Sequence, residues 1–219
     1  FEDIPTEPIF TSNPQEMHDF GTVILDETSD TLGITANNTG IGTISVNDIY
    51  LGGDNPDQFV LHDLTASYPV EMTNDYSDLI SFDATFEPTT AGVQSAKIYF
   101  DTDIGLDSII ISGTGYDARI SAIPWSEYFD DAATTSVPDL PLGWNKIVES
   151  SSTYASIETF EGNEQSAPNA VEIYCSDDAG GTYILISPVT SLDPTDTRLR
   201  FYADGSSGDQ LMVGTITDV

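Results

Sequence analysis

Positive charge is the scarcest thing in this chain. Against 37 aspartates and glutamates stand only five lysines and arginines, Lys97, Arg119, Lys146, Arg198 and Arg200, which leaves a net charge of −32. A nucleic-acid backbone is bound by clustered cations that displace its counterions, so five scattered ones exclude that partner. An anionic membrane surface is disfavoured for the same reason. Histidine is nearly as rare, with His18 and His62 in no metal-ligand spacing such as His-x-x-x-His. Cys175 is alone and excludes an intrachain disulfide, so packing or metal must supply stability; it is expected as a buried small hydrophobe on a strand. Long apolar runs are missing too. No stretch approaches the ~18 residues of a membrane-spanning helix, and no basic segment leads into an apolar core, so neither membrane insertion nor a signal peptide is expected. Phe1 reads as a mature or internal start. Catalytic signatures are equally absent: there is no Gly-x-Ser-x-Gly elbow and no glycine-rich phosphate loop. Paired carboxylates are so abundant that nominating any two as a glycosidase pair carries no information.

What is present is apolar material in short alternating runs. Hydrophobic residues make up 39% of the 219 and aromatics 10%, enough to fold despite the charge. The length exceeds the usual ~100–150 residues of one domain and suggests two cores. Self-repulsion among the carboxylates must be relieved by high ionic strength or divalent cations, which points outside the cytoplasm. Strand signals recur about every ten residues: "HDFGTVIL", "TLGITANNTG", "GTISVNDIYLGG", "QFVLHDL", "LISFDATFEP", "SAKIYFD" and "DSIIISGTG". In the fifth, Ile80, Phe82, Ala84 and Phe86 alternate with polar neighbours and place one side of a strand in a core. About seven strands with Gly, Asn and Pro punctuation predict an immunoglobulin-like sandwich, without the Cys–Trp–Cys signature of antibody domains.

The order of "DFG" at 19–21, "NNTGIGTISVNDI" at 37–49, "GGDNPDQFVL" at 52–61, "FEPTTAGVQSAKIYF" at 86–100 and "IIISGTG" at 109–115 resembles the choice-of-anchor D family. These are immunoglobulin-like modules akin to the ASPM, SPD-2 and hydin repeat, found in long secreted bacterial proteins. The resemblance makes residues 1–116 one such domain, with Gly-Thr-Gly as its exit and 117–123 as a linker. Beyond it, "SEYFDD…LPLGWNKI" and "YILISPVTSLDPTDTRLRFYADGSSGDQLMVGT" are similar to the cleaved-adhesin and choice-of-anchor J group, jelly-roll domains related in shape to MAM domains. Residues 124–219 would then be a jelly roll with strands at "YASIETF", "NAVEIYC", "TYILISPV", "TRLRFYA" and "DQLMVGTITDV". With about seven strands instead of eight or more it would be incomplete, leaving a sheet edge open. The expected fold class is therefore all-β, two tandem β-sandwiches.

Two acidic groups invite a metal reading. "DTDIGLD", Asp101–Asp107, fails the EF-hand pattern because Gly105 falls at loop position 5 and Ser112 at position 12, and it reads as a solvated hairpin turn. Glu127, Asp130 and Asp131 sit at the first strand of the second domain. The jelly-roll resemblance implies calcium where that strand meets later loops, carried by Asp130 and Asp131, with Asn169 as an amide partner. Aromatic rings pack on sugar faces, so Trp125 is a ligand-binding candidate, whereas Trp144 after "PLG" reads as a core plug.

The resemblances imply a non-catalytic fragment of a large secreted or surface-attached protein of the Bacteroidota, exported by the type IX secretion machinery: an immunoglobulin-like spacer carrying an adhesion or ligand-binding module. Its partners would be an extracellular glycan or protein, or neighbouring modules of the same chain, with weak contacts added through multivalency. The alternative is an accessory region that positions substrate for a secreted peptidase or glycoside hydrolase. A third reading is an assembly subunit whose open edge accepts a neighbour's strand.

Overall fold

Side chains alternating between core and solvent build the first half of the chain, in a computed structural model that describes residues 6–64, 67–130, 140–162, 168–175, 178, 180–205 and 210–216. The chain is all-β and divides into two compact units, Phe1–Ala118 and Arg119–Val219. In the first, β1 (Phe10–Asn13), β3 (Leu32–Asn38), β7 (Ile80–Phe86) and β5 (Phe59–His62) form a four-stranded antiparallel sheet in the order β1-β3-β7-β5. A five-stranded sheet runs β2 (Met17–Ile24), β9 (Gly105–Tyr116), β8 (Gly92–Thr102), β4 (Ile44–Gly52), β6 (Val70–Met72). The β2–β9 pair is parallel and its neighbours antiparallel. Together the sheets make an immunoglobulin-like β-sandwich.

Its core comes from the inward faces of both sheets. Ile34, Ala36, Ile80, Phe82, Ala84 and Phe86 from the first meet Ile44, Val46, Ile98, Phe100, Ile109 and Ile111 from the second, all buried. The alternation expected at Ile80–Phe86 is present. All seven expected strands form; β1 and β6 are additional, four and three residues long and too short to show a period in sequence. The Asn-Thr-Gly turn is held by buried Asn38, whose Oδ1 accepts from the Ile9 and Gly40 amides at 3.0 and 2.9 Å while its Nδ2 donates to the Gly42 carbonyl at 2.8 Å.

Gly-Thr-Gly lies in the last residues of the first unit's final strand, and its first glycine also has a packing role. β9 continues through it to Tyr116, and a Cβ on Gly113 would stand 2.6 Å from two ring carbons of Phe86. The glycine is there so that the largest buried side chain of β7 can lie flat on β9.

The second unit contains β10 (Asn145–Glu149) paired with β13 (Thr182–Ile186), and β11 (Ser156–Glu161) paired with β12 (Asn169–Tyr174), both antiparallel. "TRLRFYA" and the described part of "DQLMVGTITDV" form no strand. Their apolar side chains are exposed, Leu199 at 67% and Met212 at 91%, so no surface rewards an extended ladder there. Among the described residues of this unit the buried side chains are Ile157, Thr159, Asn169 and Pro188, a smaller and more polar set than the first unit's core. Cys175 is exposed, contrary to expectation, because it follows β12 where burial has already faded at Ile173 and Tyr174.

Candidate functional site

The sequence-predicted site lies in the second unit, on the stretch between Ile120 and Asp130. That stretch is fixed at its start by Ile120, which donates from its amide to the Val189 carbonyl at 2.9 Å and accepts from the Ser191 amide at 3.3 Å. It then carries Trp125 to Trp144, with ring centroids 6.3 Å apart in a stacked arrangement, and Phe129 to the same ring at 4.9 Å. Trp144 reaches this position from a turn in which its amide donates to the Pro141 carbonyl at 3.0 Å and Gly143 takes φ +88°. It is half-buried between the two aromatics, with its indole N–H enclosed and without an acceptor, while Trp125 is 42% exposed. The pair therefore shares one cluster: Trp144 is its inner member and Trp125 its solvent face.

Immediately after, the backbone bends. Phe129 adopts φ +63°, a left-handed conformation costly for an aromatic residue, and its amide is held by Glu127 Oε1 at 2.7 Å. The bend turns the carbonyls of Phe129 and Asp130 toward Asn169, the first residue of β12, whose Nδ2 donates to them at 2.9 and 3.5 Å. Asp130 Oδ1 accepts from the Asn169 amide at 3.4 Å. The structure thus brings Asp130 and Asn169 together across 39 residues of sequence; Asp131 lies outside the described residues. Two carbonyls and a carboxylate are the hard oxygen donors that calcium takes, and a half-turn of the Asn169 amide would present its Oδ1 to the same centre. As placed, the amide donates into that centre and closes it as a hydrogen-bonded clasp. Among the described residues no group of three or more His, Cys, Asp or Glu side chains converges on a metal position.

A second clasp escaped sequence reasoning. Asp178 accepts from the Ser151 amide at 2.7 Å, Ser150 Oγ at 2.9 Å and the Gly180 amide at 3.1 Å, and Tyr183 Oη donates to Ser150 Oγ at 3.0 Å. The Ser151 amide first, then the Ser150 hydroxyl and the Gly180 amide, hold its carboxyl below the usual carboxylate range. The sequence signal for it is an aspartate two residues before a glycine, a turn pattern common to many loops.

The remaining candidates are structural. The 101–107 segment is a hairpin turn between β8 and β9, with Thr102 Oγ1 donating to the Gly105 carbonyl at 2.6 Å and Asp103 Oδ1 accepting from the Ser45 amide at 2.9 Å. His18 packs edge-on to Phe20, and His62 Nε2 shares a 2.8 Å hydrogen bond with Thr85 Oγ1. No helix is long and apolar enough to cross a membrane among the described residues.

No protein-family model and no curated protein matches the chain. Among solved structures, the Vibrio cholerae VesB protease is similar over 49% of this chain and 31% of its own, with 9% identity and a TM-score of 0.33. The ASH/PapD-like domain 7 of human CEP192 is similar over 54% of this chain and 91% of its own, with 16% identity and a TM-score of 0.33. The secreted serine protease VesC of Vibrio cholerae is similar over 83% of this chain and 44% of its own, with 10% identity and a TM-score of 0.38. The chain thus spans less than half the length of either Vibrio protease.

Proposed function

We propose that the chain is a non-catalytic portion of a large secreted or cell-surface bacterial protein, in which the first unit is a spacer and the second a jelly-roll adhesion module stabilised by calcium. The observation that carries this reading is the path of the chain through the sandwich. It enters at Phe10, paired with Asn38 at the far end of β3, and leaves at Tyr116, whose carbonyl accepts from the Leu25 amide beside the start of that strand. Entry and exit therefore lie at opposite ends, and the exit strand alone, 12 residues long, covers about 40 Å at ~3.3 Å per residue. Such a path suits a module that sets distance. The exposed Trp125 face would contact an extracellular glycan or protein, weakly and many times over in a multidomain parent.

Two measurements test the reading. Trp125 and Trp144 are the two tryptophans of the chain and both lie beside the Asp130–Asn169 clasp, so tryptophan emission follows that unit's melting. A bound ion adds about 2.7 kcal/mol when calcium stands a hundredfold above its Kd, so millimolar calcium is expected to raise the melting temperature by several degrees in the native chain and not in Asp130→Ala. An unchanged melt, or an equal rise in the variant, removes calcium from the proposal. For the module itself, retention of the chain on immobilised glycans and matrix proteins is expected to fall with Trp125→Ala, whereas turnover of peptide or glycoside substrates by the chain would overturn the non-catalytic assignment.

A further inference from the structure

Residues 198–203, Arg-Leu-Arg-Phe-Tyr-Ala, alternate like a strand and form none. All six are exposed, Phe201 at 53% and Tyr202 at 77%. Two arginines and no carboxylate give the stretch a charge of +2 in a chain of −32. Neither arginine makes a hydrogen bond or ion pair with any described residue, although Asp196 and Asp204 stand on either side in sequence. Extended, the stretch divides by its period of two: Arg198, Arg200 and Tyr202 on one face, Leu199, Phe201 and Ala203 on the other.

The β11–β12 ladder divides in the same way. Ile157 stands opposite Ile173 and Thr159 opposite Val171, which makes one face largely apolar. On the other face Glu158 stands directly opposite Glu172, a like-charge pair that costs a ladder stability, and no described side chain forms an ion pair with either. The β11 side of this ladder receives the Lys146 amine on the Ile157 carbonyl. On the β12 side the ladder stops: among the described residues β12 pairs with β11 alone, so the outward backbone groups of residues 170–174 face no strand, and Ile173 is exposed beside them. A strand laid there with Arg200 beside Glu172 brings Leu199 and Phe201 against Val171 and Ile173 whichever way it runs, because both apolar pairs lie one residue to either side of the ion pair.

We propose that residues 198–203 of one copy of this chain add as a third strand to the free edge of β12 in another. The edge asks for a strand that is cationic on one face and apolar on the other, and the chain itself carries one, exposed and unpaired. Backbone hydrogen bonds supply the affinity and the two faces supply the register, since a slip of one residue sets an arginine on Ile173 and Leu199 on Glu172. Repulsion between two chains of −32 acts at long range and is damped beyond the ~8 Å screening length of physiological salt, whereas Arg200 and Glu172 are in contact across the new ladder. The giving and receiving surfaces differ, so the contact is head-to-tail and every copy can do both. It depends on neither calcium nor Trp125.

The test is sedimentation of the full chain from about 1 μM to about 1 mM at about 0.15 M salt, with hydrogen exchange of its amides at both ends of that range. Association that grows with concentration is expected, together with slowed exchange of residues 170–174 and 198–203 in the associated form. Arg200→Glu and Glu172→Arg are each expected to weaken it about tenfold, since each replaces an opposite-charge pair by a like-charge one. Arg200 is exposed and unpaired and Glu172 already faces Glu158, so both variants should keep the native melt. An equal mixture of the two variants should associate as the native chain does, because each then offers the charge that the other lacks; pairing within one chain gains nothing from mixing. A chain that stays monomeric at about 1 mM overturns the proposal. So do variants that associate like the native chain, a mixture that fails to recover, or residues 170–174 protected equally at every dilution by the chain's own segment.

Discussion

Gln58 is the most heavily used polar side chain of the first unit, and its removal gives a prediction with a computable size. It is 3% exposed, just before β5. Its Oε1 accepts from the Thr89 amide at 2.8 Å, the Thr90 amide at 3.2 Å and Thr89 Oγ1 at 3.2 Å, while its Nε2 donates to Thr89 Oγ1 at 2.9 Å and Asp57 Oδ2 at 3.0 Å. One side chain thus ties the start of β5 to the 88–91 turn that feeds β8. Gln58→Ala deletes about three net hydrogen bonds at ~1 kcal/mol each. Thr89 and Thr90 are exposed, so water rescues their amides and the larger penalty for dry orphan donors does not apply. Release of a glutamine that folding no longer has to order returns ~1 kcal/mol. The balance is a loss of about 2 kcal/mol, or roughly thirtyfold in the folding equilibrium. Far-UV signals mix the two units, but hydrogen exchange of the β8 and β9 amides reads the first unit alone, and these central strands should exchange about thirtyfold faster in the variant. Gln58→Glu, which keeps the acceptor and sets a carboxylate against Asp57, should fall between the two. Exchange unchanged within threefold in Gln58→Ala would show that the turn is held by its backbone and that the reasoning is wrong.

Gly113→Ala should destabilise the first unit by about 1–3 kcal/mol, since the new methyl meets an enclosed ring; trimming that ring with Phe86→Leu should recover part of the loss, and strict additivity of the two changes in denaturant midpoints would contradict the contact. The Asp178 clasp makes the second unit acid-sensitive. Its carboxyl titrates below the ordinary 3.8, so its stabilisation is complete above that value and disappears as pH falls through the lower folded one. Carboxyl carbon shifts should place its midpoint under 3.8, and Asp178→Asn should flatten the acid limb of the tryptophan melt; a midpoint at or above the ordinary value would refute the clasp. Asp75, accepting from the Ser77 amide, and Asp193, accepting from the Thr195 hydroxyl and then the Thr195 amide, should titrate low in the same experiment.

What was legible in the sequence is what depends on neighbours two residues apart. Ile80 to Phe86 announce a half-buried strand because the sheet has a wet side and a dry side, and the same contrast drives β3, β8 and β9. What was not legible depends on residues elsewhere in the chain. A strict period of two continued from Ile44 and Val46 would put Asp48 and Tyr50 indoors; the bulge that turns them out is set by the ladder with β8, not by β4. Gly113 looks like punctuation until Phe86, 27 residues earlier, is laid over it. Resemblance to jelly-roll modules singles out Asp130 and Asp131 as calcium ligands, with Asn169 as an amide partner; the Asp130–Asn169 clasp itself does not follow from spacing, because carboxylates are everywhere in this chain and the positive φ of Phe129 gives this one its setting.

The second unit shows the limit of alternation as evidence. "TRLRFYA" alternates as well as β11 does, yet β11 is a strand because Ile157 has something to bury against and Leu199 does not. Two-stranded ladders are marginal on their own in water, and the described ladders of this unit expose Ile147, Phe160 and Ile173. What joins them is polar. The Lys146 amine on β10 donates to the Ile157 carbonyl on β11 at 2.7 Å, Asn169 ties β12 to the Phe129 bend, and Asp178 ties the loop after β12 to Ser150 beyond β10. Such contacts are directional and sensitive to charge, pH and ions in a way that the apolar interior of the first unit is not. Chemical conditions that leave the sandwich untouched should therefore reshape the second unit, so a response to the pH or ionic content of the medium would arise there.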